Sequence, residues 1–396
     1  MNSNDKQVEA PWPILRMAFR PLFWLGALFS SISILLWVLN FSGRIEFMPY
    51  GGGHFWHVHE MLFGFAVAII TGFLLTAVQN WTGRISVRGK SLGILVLVWI
   101  IGRIFMALPA MVNDVLIMVV DAIYLPLAAF FFAKPVIQAR LWRNLFFVPI
   151  LLLMALLNLL MHLSIQSYIN LSYIHLSHVM VLMIGLVMCI MGGRVFPMFT
   201  ANGTQTAKVA NIVWLDRASI GLIVAAVVVE LQILALPAQL QAGVLFLAGI
   251  VNFARALRWR IWVTLKTPLV WSLHFSYWAL CLGLIMVAAA KIEWLSQISL
   301  AYHVITVGGM GLMILSMISR VSLGHTGRMI VVGKVMTVAF IAVLLAMFAR
   351  AILPLVVSNY TWLVVISGLL WTLAYACFVL IYAKIVFKAR VDNPLG

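Results

Sequence analysis

The histidines are the residues of this chain whose type and spacing could do chemistry. Six of them stand at the beginning of long apolar runs: His54, His57, His59, His175, His178 and His303. The first run opens with the stretch GGGHFWHVHEMLFGF, residues 51–65, which also contains Glu60. Neutral imidazole is the commonest metal and haem ligand, and a nearby carboxylate often orients it. This pattern predicts a metal or haem site.

The composition identifies an integral membrane protein. Of 396 residues, 64% are hydrophobic and 9% are charged, and the mean hydropathy is +1.11. A helix needs roughly 20 apolar residues to cross about 30 Å of hydrocarbon. We therefore predict an all-α integral membrane protein with twelve transmembrane helices, at residues 22–42, 56–79, 91–109, 112–133, 145–163, 171–199, 212–235, 239–257, 268–289, 296–319, 333–352 and 360–385.

The basic residues predict the orientation of these twelve segments. All 26 Lys and Arg residues lie at the termini or in and beside the loops after even-numbered segments, apart from four: Arg44, Arg103, Lys291 and Arg350. Basic residues accumulate in cytoplasmic loops, so we predict a multi-pass protein with cytoplasmic tails at 1–21 and 386–396. The net charge of +16 follows from this topology, and nucleic acid is not a predicted partner.

This orientation places the six histidines at the outer ends of segments 2, 6 and 10. An ionisable group costs about 3 kcal/mol to insert within a span, so several at one depth indicate a shared purpose. At about 100° per residue, His57 and Glu60 share a face, whereas His57 and His59 point about 200° apart. One of His57 and His59 is expected to face a site while the other packs elsewhere or meets a second site. His162, at the outer end of segment 5, is interpreted as a packing residue.

Glycine-containing motifs accompany the histidines. Gly64 lies two turns after His57 and Gly185 lies two turns after His178, where a missing side chain gives room to a flat macrocycle or to a close helix contact. On the cytoplasmic side, GGRVFPMF (192–199) and GHTGR (324–328) are interpreted as ordinary helix ends.

An internal repeat relates the histidine-bearing segments. His-Val occurs at His57, His178 and His303, at intervals of about four membrane spans. A second register pairs His59 with His303, because a glycine follows each of them after five residues and Thr-Gly-Arg follows further on. Both registers predict three pseudo-equivalent four-helix units, at about 22–133, 145–257 and 268–385.

This architecture resembles the catalytic subunit of haem-copper oxidases. That subunit also has twelve spans in three arcs, with haem ligands on helices 2 and 10 and copper ligands on helices 6 and 7. Here the seventh segment has no histidine, and the chain has no adjacent His-His pair. The resemblance is therefore one of architecture, and it gives little support to an oxidase activity.

Three motifs in order carry a closer resemblance. GGHFWHVHEMLFGF, GGRVFPMFTANG (192–203) and SRVSLGHTGR (319–328) are similar to signature segments of the NnrS family, bacterial multi-pass membrane proteins linked to nitric oxide response and denitrification. The resemblance implies a protein that contains haem, presumed b-type in our prediction, and that has copper as a candidate second metal. It implies protection against nitrosative stress and leaves open whether nitric oxide is reduced, oxidised, sensed or sequestered.

The residues and the resemblance together predict an outer haem site. His57 or His59 is expected to supply one axial ligand and His303 another, with His54, His175 and His178 available for a second metal or haem. Supporting roles are expected for charged residues near this site. Glu60 would orient an imidazole and Arg350 would bind a propionate at the surface. Arg103 would pair with Asp114 or Asp121, unless it binds a haem propionate.

Two other function classes remain alternatives. A secondary transporter also combines twelve helices, internal repeats and buried charge; a membrane nitric oxide sensor is the third candidate. The predicted partners are nitric oxide or a related small molecule, the lipid bilayer, and an electron donor that is a quinol or a redox protein.

Overall fold

The computed structural model describes residues 12–233 and 235–392. Within them the chain is helical and contains no strand. The predicted all-α, multi-pass architecture is confirmed, with eleven helices long and apolar enough to cross a membrane. They are α1 (Phe19–Phe41), α2 (Gly52–Thr82), α3 (Gly89–Ala107), α4 (Asp114–Gln138), α5 (Trp142–Ile165), α6 (Tyr173–Thr204), α8 (Ala238–Leu257), α9 (Pro268–Lys291), α10 (Ile298–His325), α11 (Lys334–Leu355) and α12 (Tyr360–Val386).

A twelfth helix, α7 (Val213–Glu230), is shorter than its predicted range of 212–235 and carries three charged residues. Two of these charges are neutralised by the next helices along the chain. Asp216 accepts a hydrogen bond from Arg255 Nε of α8 at 2.7 Å, and Glu230 Oε2 lies 2.9 Å from Lys291 Nζ of α9. Its 18 residues extend about 27 Å, which is close to the hydrocarbon thickness.

The first and last helices join the two ends of the described chain. Arg20 Nη1 of α1 donates to the carbonyl of Val386 at 2.8 Å and to that of Lys388 at 2.6 Å. At mid-height Trp371 Nε1 of α12 donates to Ser30 Oγ of α1 at 2.8 Å. The two ends of the described chain therefore lie on the same side of the bundle, as an even number of membrane-spanning helices requires.

Two of the histidine-bearing helices contain π-helical turns. In α2 the segment Glu60–Ala66 begins directly after His59, and in α10 the segment Val304–Gly311 begins directly after His303. Such insertions occur frequently at functional sites because they shift the face that the following residues present. The equivalent positions of the two π-helical segments agree with the repeat register that pairs His59 with His303. The division of the chain into three four-helix units stays a prediction.

The interpretation of GGRVFPMF as a helix end was wrong. Helix α6 continues through Pro197 to Thr204, since the bundle surrounds the glycines and buries Pro197. A side chain at Gly193 would collide with the Arg255 guanidinium, and one at Gly192 would meet the Tyr277 ring at 2.9 Å. The two glycines thus allow close approach of α8 and α9, which is a common use of small residues between membrane helices.

Candidate functional site

A cavity of about 370 Å³ lies among the ends of six helices, on the side of the bundle opposite to the two ends of the described chain. Its polar lining consists mainly of basic side chains, which come from α2, α6, α10 and α11: His54, His57, His178, His303 and Arg350. Its remaining walls are largely apolar, with Trp37, Met61, Val181, Met310 and Trp371 among them. The three histidines of the His-Val repeat therefore meet at one cavity, which we call the outer cavity.

Local contacts hold His57 and His303 in the wall of the outer cavity. His303 Nδ1 lies 2.7 Å from the carbonyl oxygen of Ser299. Because a carbonyl only accepts, Nδ1 carries the proton, and a neutral His303 keeps its Nε2 lone pair for a metal. The His57 ring stacks on Trp37 with centroids 4.5 Å apart and planes 8° apart. Both rings are held in orientation as a ligand imidazole requires.

Arg350 brings a cation to the outer cavity without an acidic partner. Its Nη2 donates to Ser299 Oγ at 3.4 Å, and its guanidinium lies 5.2 Å from the Tyr360 ring centroid. Within residues 12–233 and 235–392, no carboxylate pairs with it, and its buried Nη1 has no hydrogen-bond partner. A partly buried guanidinium whose inner nitrogen has no partner is costly, so the arrangement suits a ligand that carries a carboxylate.

The other predicted ligands are partly engaged. His54 Nδ1 lies 3.0 Å from the Tyr173 hydroxyl. The His178 ring stacks on Tyr302 at 3.8 Å, with its Nδ1 3.9 Å from Glu230 Oε1. His175 lies behind it, with its Nδ1 3.8 Å from the same carboxylate oxygen. The Glu230 carboxylate thus lies beside both imidazoles of α6, and only His178 of that pair lines the outer cavity.

His59 and Arg103 lie apart from the outer cavity, in a second polar site. This buried cluster consists of His59, Glu60, Arg103, Asp121, Asn158 and His162, each of them at most 6% exposed. His59 Nδ1 lies 2.9 Å from Glu60 Oε1, and its Nε2 lies 2.7 Å from Asn158 Oδ1. Arg103 bridges two carboxylates, donating to Glu60 Oε1 at 2.6 Å and pairing with Asp121. Of the two roles considered for Arg103, the structure shows the internal ion pair.

Helix geometry explains the division between the two sites. His57 and His59 are two positions apart on α2, so they diverge by about 200°. His57 then reaches the outer cavity while His59 points towards α4 and α5, where Asp121 and Asn158 reside. Glu60, expected to orient an imidazole, contacts His59.

Sequence reasoning missed two members of the buried cluster. His162 had been interpreted as a packing residue, yet its Nε2 lies 3.1 Å from Asp121 Oδ2 and its Nδ1 lies 3.4 Å from the Tyr50 hydroxyl. Asn158 Nδ2 donates to Asp121 Oδ2 at 2.7 Å. Burial raises the pKa of the Tyr50 hydroxyl, which therefore stays protonated. The available signal was the four-residue spacing of Asn158 and His162, which puts two polar side chains on one face of an apolar helix.

Gly64 serves the helix contact rather than a macrocycle. A side chain there would meet Phe29 at 2.6 Å, Arg103 Nη1 at 2.8 Å and Glu60 Oε2 at 2.9 Å.

We expect Gly64→Ala to lower the free energy of unfolding by about 1–3 kcal/mol, the usual cost of overpacking, measured by thermal or denaturant unfolding in detergent. Gly221→Ala is the matched control, since nothing lies within 4 Å of its new methyl group. Equal stability of the two variants would contradict this account.

A larger cavity of about 550 Å³ opens at a different place in the bundle. It is bordered by Arg194, Lys208, Asp216 and Arg255. Arg255 is held by Asp216 and by the carbonyl of Cys189, to which its Nη1 donates at 3.1 Å. This cavity shares no lining residue with the outer cavity.

Comparison with known protein families gives a match along the chain. The family described as NnrS protein matches residues 13–390, nearly the whole chain. No curated protein matches the chain.

Proposed function

The chain belongs to the NnrS family, and on that premise we propose that it is a haem protein that binds and handles nitric oxide, with the haem held in the outer cavity. One observation carries the proposal. His57 and His303, on two different helices, line the same cavity as Arg350, a cation without an acidic partner in the described chain.

The residues present fit a haem group. Imidazole nitrogens are common axial ligands of haem iron, and His57 and His303 offer them from two walls. The Arg350 guanidinium would pair with a propionate carboxylate, which matches its missing partner. Apolar side chains supply most of the remaining wall for a macrocycle, and 370 Å³ lies within the range of about 300–1,000 Å³ for small-molecule sites.

The protein's own groups would decide what the site does. Haem supplies an iron centre that can take nitric oxide as a ligand or pass electrons. If His57 and His303 both bind the iron, the site is suited to electron transfer; if one does, the opposite side stays available to a small molecule. His178 and His54 would then be the polar groups beside that molecule, with His178 positioned by Tyr302 and Glu230.

The proposed setting is the bacterial inner membrane. The two ends of the described chain lie on the same side of the bundle, and the excess of basic residues in the loops on that side supports a cytoplasmic position for it. The outer cavity would then face the periplasmic half of the membrane. A quinol or a redox protein is the proposed electron donor.

The first test is the optical spectrum of the purified full-length protein, oxidised, then reduced, then exposed to nitric oxide, with iron and copper quantified on the same sample. We expect a Soret band that shifts on reduction and again with nitric oxide. A folded protein without colour or iron would remove the haem proposal. A haem spectrum insensitive to nitric oxide would restrict the function to electron transfer.

Arg350 gives a second test of the cavity. We expect Arg350→Gln to weaken haem retention about tenfold or more, because a charge-assisted hydrogen bond to a carboxylate contributes about 1.5–3 kcal/mol. The measurement is haem loss to apomyoglobin followed at the Soret band. Arg350→Lys should restore part of the retention, and Arg44→Gln, at an exposed position, should change nothing. Unchanged haem loss in Arg350→Gln would show that Arg350 does not contact the propionates.

The transporter alternative keeps one supporting observation. The cavity beside Arg194 and Arg255 is separate from the outer cavity, and the two could serve opposite faces of the membrane in a transporter. A folded, colourless protein would make this the leading function.

A further inference from the structure

We propose that His59, Asp121 and His162 of the buried cluster bind a transition-metal ion of the copper or zinc class. None of the six residues of the buried cluster lines the outer cavity. The metal site is therefore separate from the proposed haem site, and the two proposals can be tested independently.

The three side chains present ligand atoms at suitable distances. Asp121 Oδ2 lies 3.3 Å from His59 Nε2 and 3.1 Å from His162 Nε2, and all three atoms lie within 4.8 Å of one another. Metal bonds of about 2.0–2.1 Å in a tetrahedron separate neighbouring ligand atoms by about 3.3 Å. Two edges of the triangle already match, and a small rotation of either imidazole closes the third.

The surroundings of the three ligands resemble the outer shell of a metal site. A ligand histidine usually donates its second ring nitrogen to a carboxylate or another oxygen, which fixes its tautomer. His59 Nδ1 lies 2.9 Å from Glu60 Oε1, and His162 Nδ1 lies 3.4 Å from the Tyr50 hydroxyl. The second oxygen of Asp121 is paired with Arg103. Each ligand thus has its own orienting partner.

The charges of the buried cluster call for another cation. Glu60 and Asp121 bring two negative charges and Arg103 brings one positive charge, all within 6% exposure. A buried net charge is costly unless something compensates it, and Glu60 Oε2 has no hydrogen-bond partner in the described chain. A bound metal ion supplies the positive charge. Binding of the ion would replace the contact between His59 Nε2 and Asn158 Oδ1, which is 2.7 Å long.

The donor set selects the class of ion. Two imidazoles and one carboxylate, without a thiolate, suit copper and zinc better than calcium or magnesium, which prefer oxygen. A chain of hydrogen bonds connects the buried cluster with the exposed Asp114: Gln166 donates to Asp114 at 3.0 Å and to the Tyr50 hydroxyl at 3.1 Å, and this hydroxyl contacts His162.

The test measures metal in the purified full-length protein and its variants. After treatment with a chelator, each protein is incubated with Cu²⁺ or Zn²⁺, passed through a desalting column and analysed for bound metal and for haem. We expect His162→Ala and Asp121→Asn to bind about one ion per chain fewer than the parent protein, with an unchanged Soret band. His274→Ala is the matched control, since this buried histidine bonds Thr200 and lies outside the cluster.

Two further measurements separate the possible failures. His57→Ala should keep the ion; if it loses the ion while His162→Ala keeps it, the metal belongs to the outer cavity and the proposal is overturned. Because His162→Ala could also disturb folding, the parent protein is titrated with Co²⁺, whose visible bands report tetrahedral nitrogen and oxygen ligands. A folded parent that shows no such bands and retains no Cu²⁺ or Zn²⁺ would overturn the proposal. A colourless parent that binds the ion would remove the haem proposal and keep this one.

Discussion

Replacing Arg103 by alanine is expected to lower the free energy of unfolding by about 3–5 kcal/mol. The reason is that Glu60 and Asp121 both lose their cation in an interior where removal of one partner leaves an uncompensated charge. The measurement is the thermal or denaturant midpoint of the protein in detergent. Arg44→Ala, which removes an exposed guanidinium, should shift the midpoint little.

A combined variant separates charge from packing. Arg103→Leu together with Glu60→Gln and Asp121→Asn removes the cation and both anions, so it should be markedly more stable than Arg103→Leu alone, as found generally when a whole buried ion network is replaced. If the triple variant is no more stable than the single one, the role of Arg103 lies in its packing against its neighbours. A small effect of Arg103→Ala would contradict the role of Arg103 as the cation that compensates the two carboxylates.

His303→Ala and His57→Ala are expected to lose haem. Removing a partner that only orients a ligand costs about 10–100-fold in affinity, so removing the ligand itself should cost more than about 100-fold. The measurement is haem per chain after purification, together with the position of the Soret band. Loss in one variant and a shifted band in the other would identify the stronger and the weaker axial ligand.

The control for these variants is His274→Ala. His274 is buried and its Nε2 lies 2.9 Å from Thr200 Oγ1, away from the outer cavity. It should keep its haem and spectrum. Imidazole added to His303→Gly should restore part of the haem, whereas a destabilised fold would not respond. Full haem content in both His57→Ala and His303→Ala would exclude this pair as ligands.

The helices were predictable because each crosses an apolar solvent. Twelve hydrophobic stretches were found at nearly their observed places, and the largest deviations lie at helix ends. Helix α2 begins at Gly52 rather than at residue 56, and α6 ends at Thr204 rather than at 199. Hydropathy is averaged over many residues, so it does not detect polar residues at the end of a helix. A residue such as His54 remains helical because neighbouring helices pack around that part of the chain.

Helix α7 shows a second limit of hydropathy, which is that a helix of membrane-spanning length can contain charged residues. Its three charges weaken its apolar character, and the structure neutralises Asp216 and Glu230 with Arg255 and Lys291 from the two following helices. These ion pairs join residues far apart in the chain. No local pattern in α7 could identify their partners.

The amino-acid sequence by itself determined the class of protein, the number of spans and the family, because long apolar segments have one stable solution in a bilayer and the motifs are specific. It also determined that His57 and His59 diverge, since helical rotation is local. Only the tertiary structure decided where each one points: His57 to a cavity shared with His178, His303 and Arg350, His59 to a cluster with Asp121 and His162. That assignment depends on how the helices pack around one another, which side-chain contacts between distant segments decide.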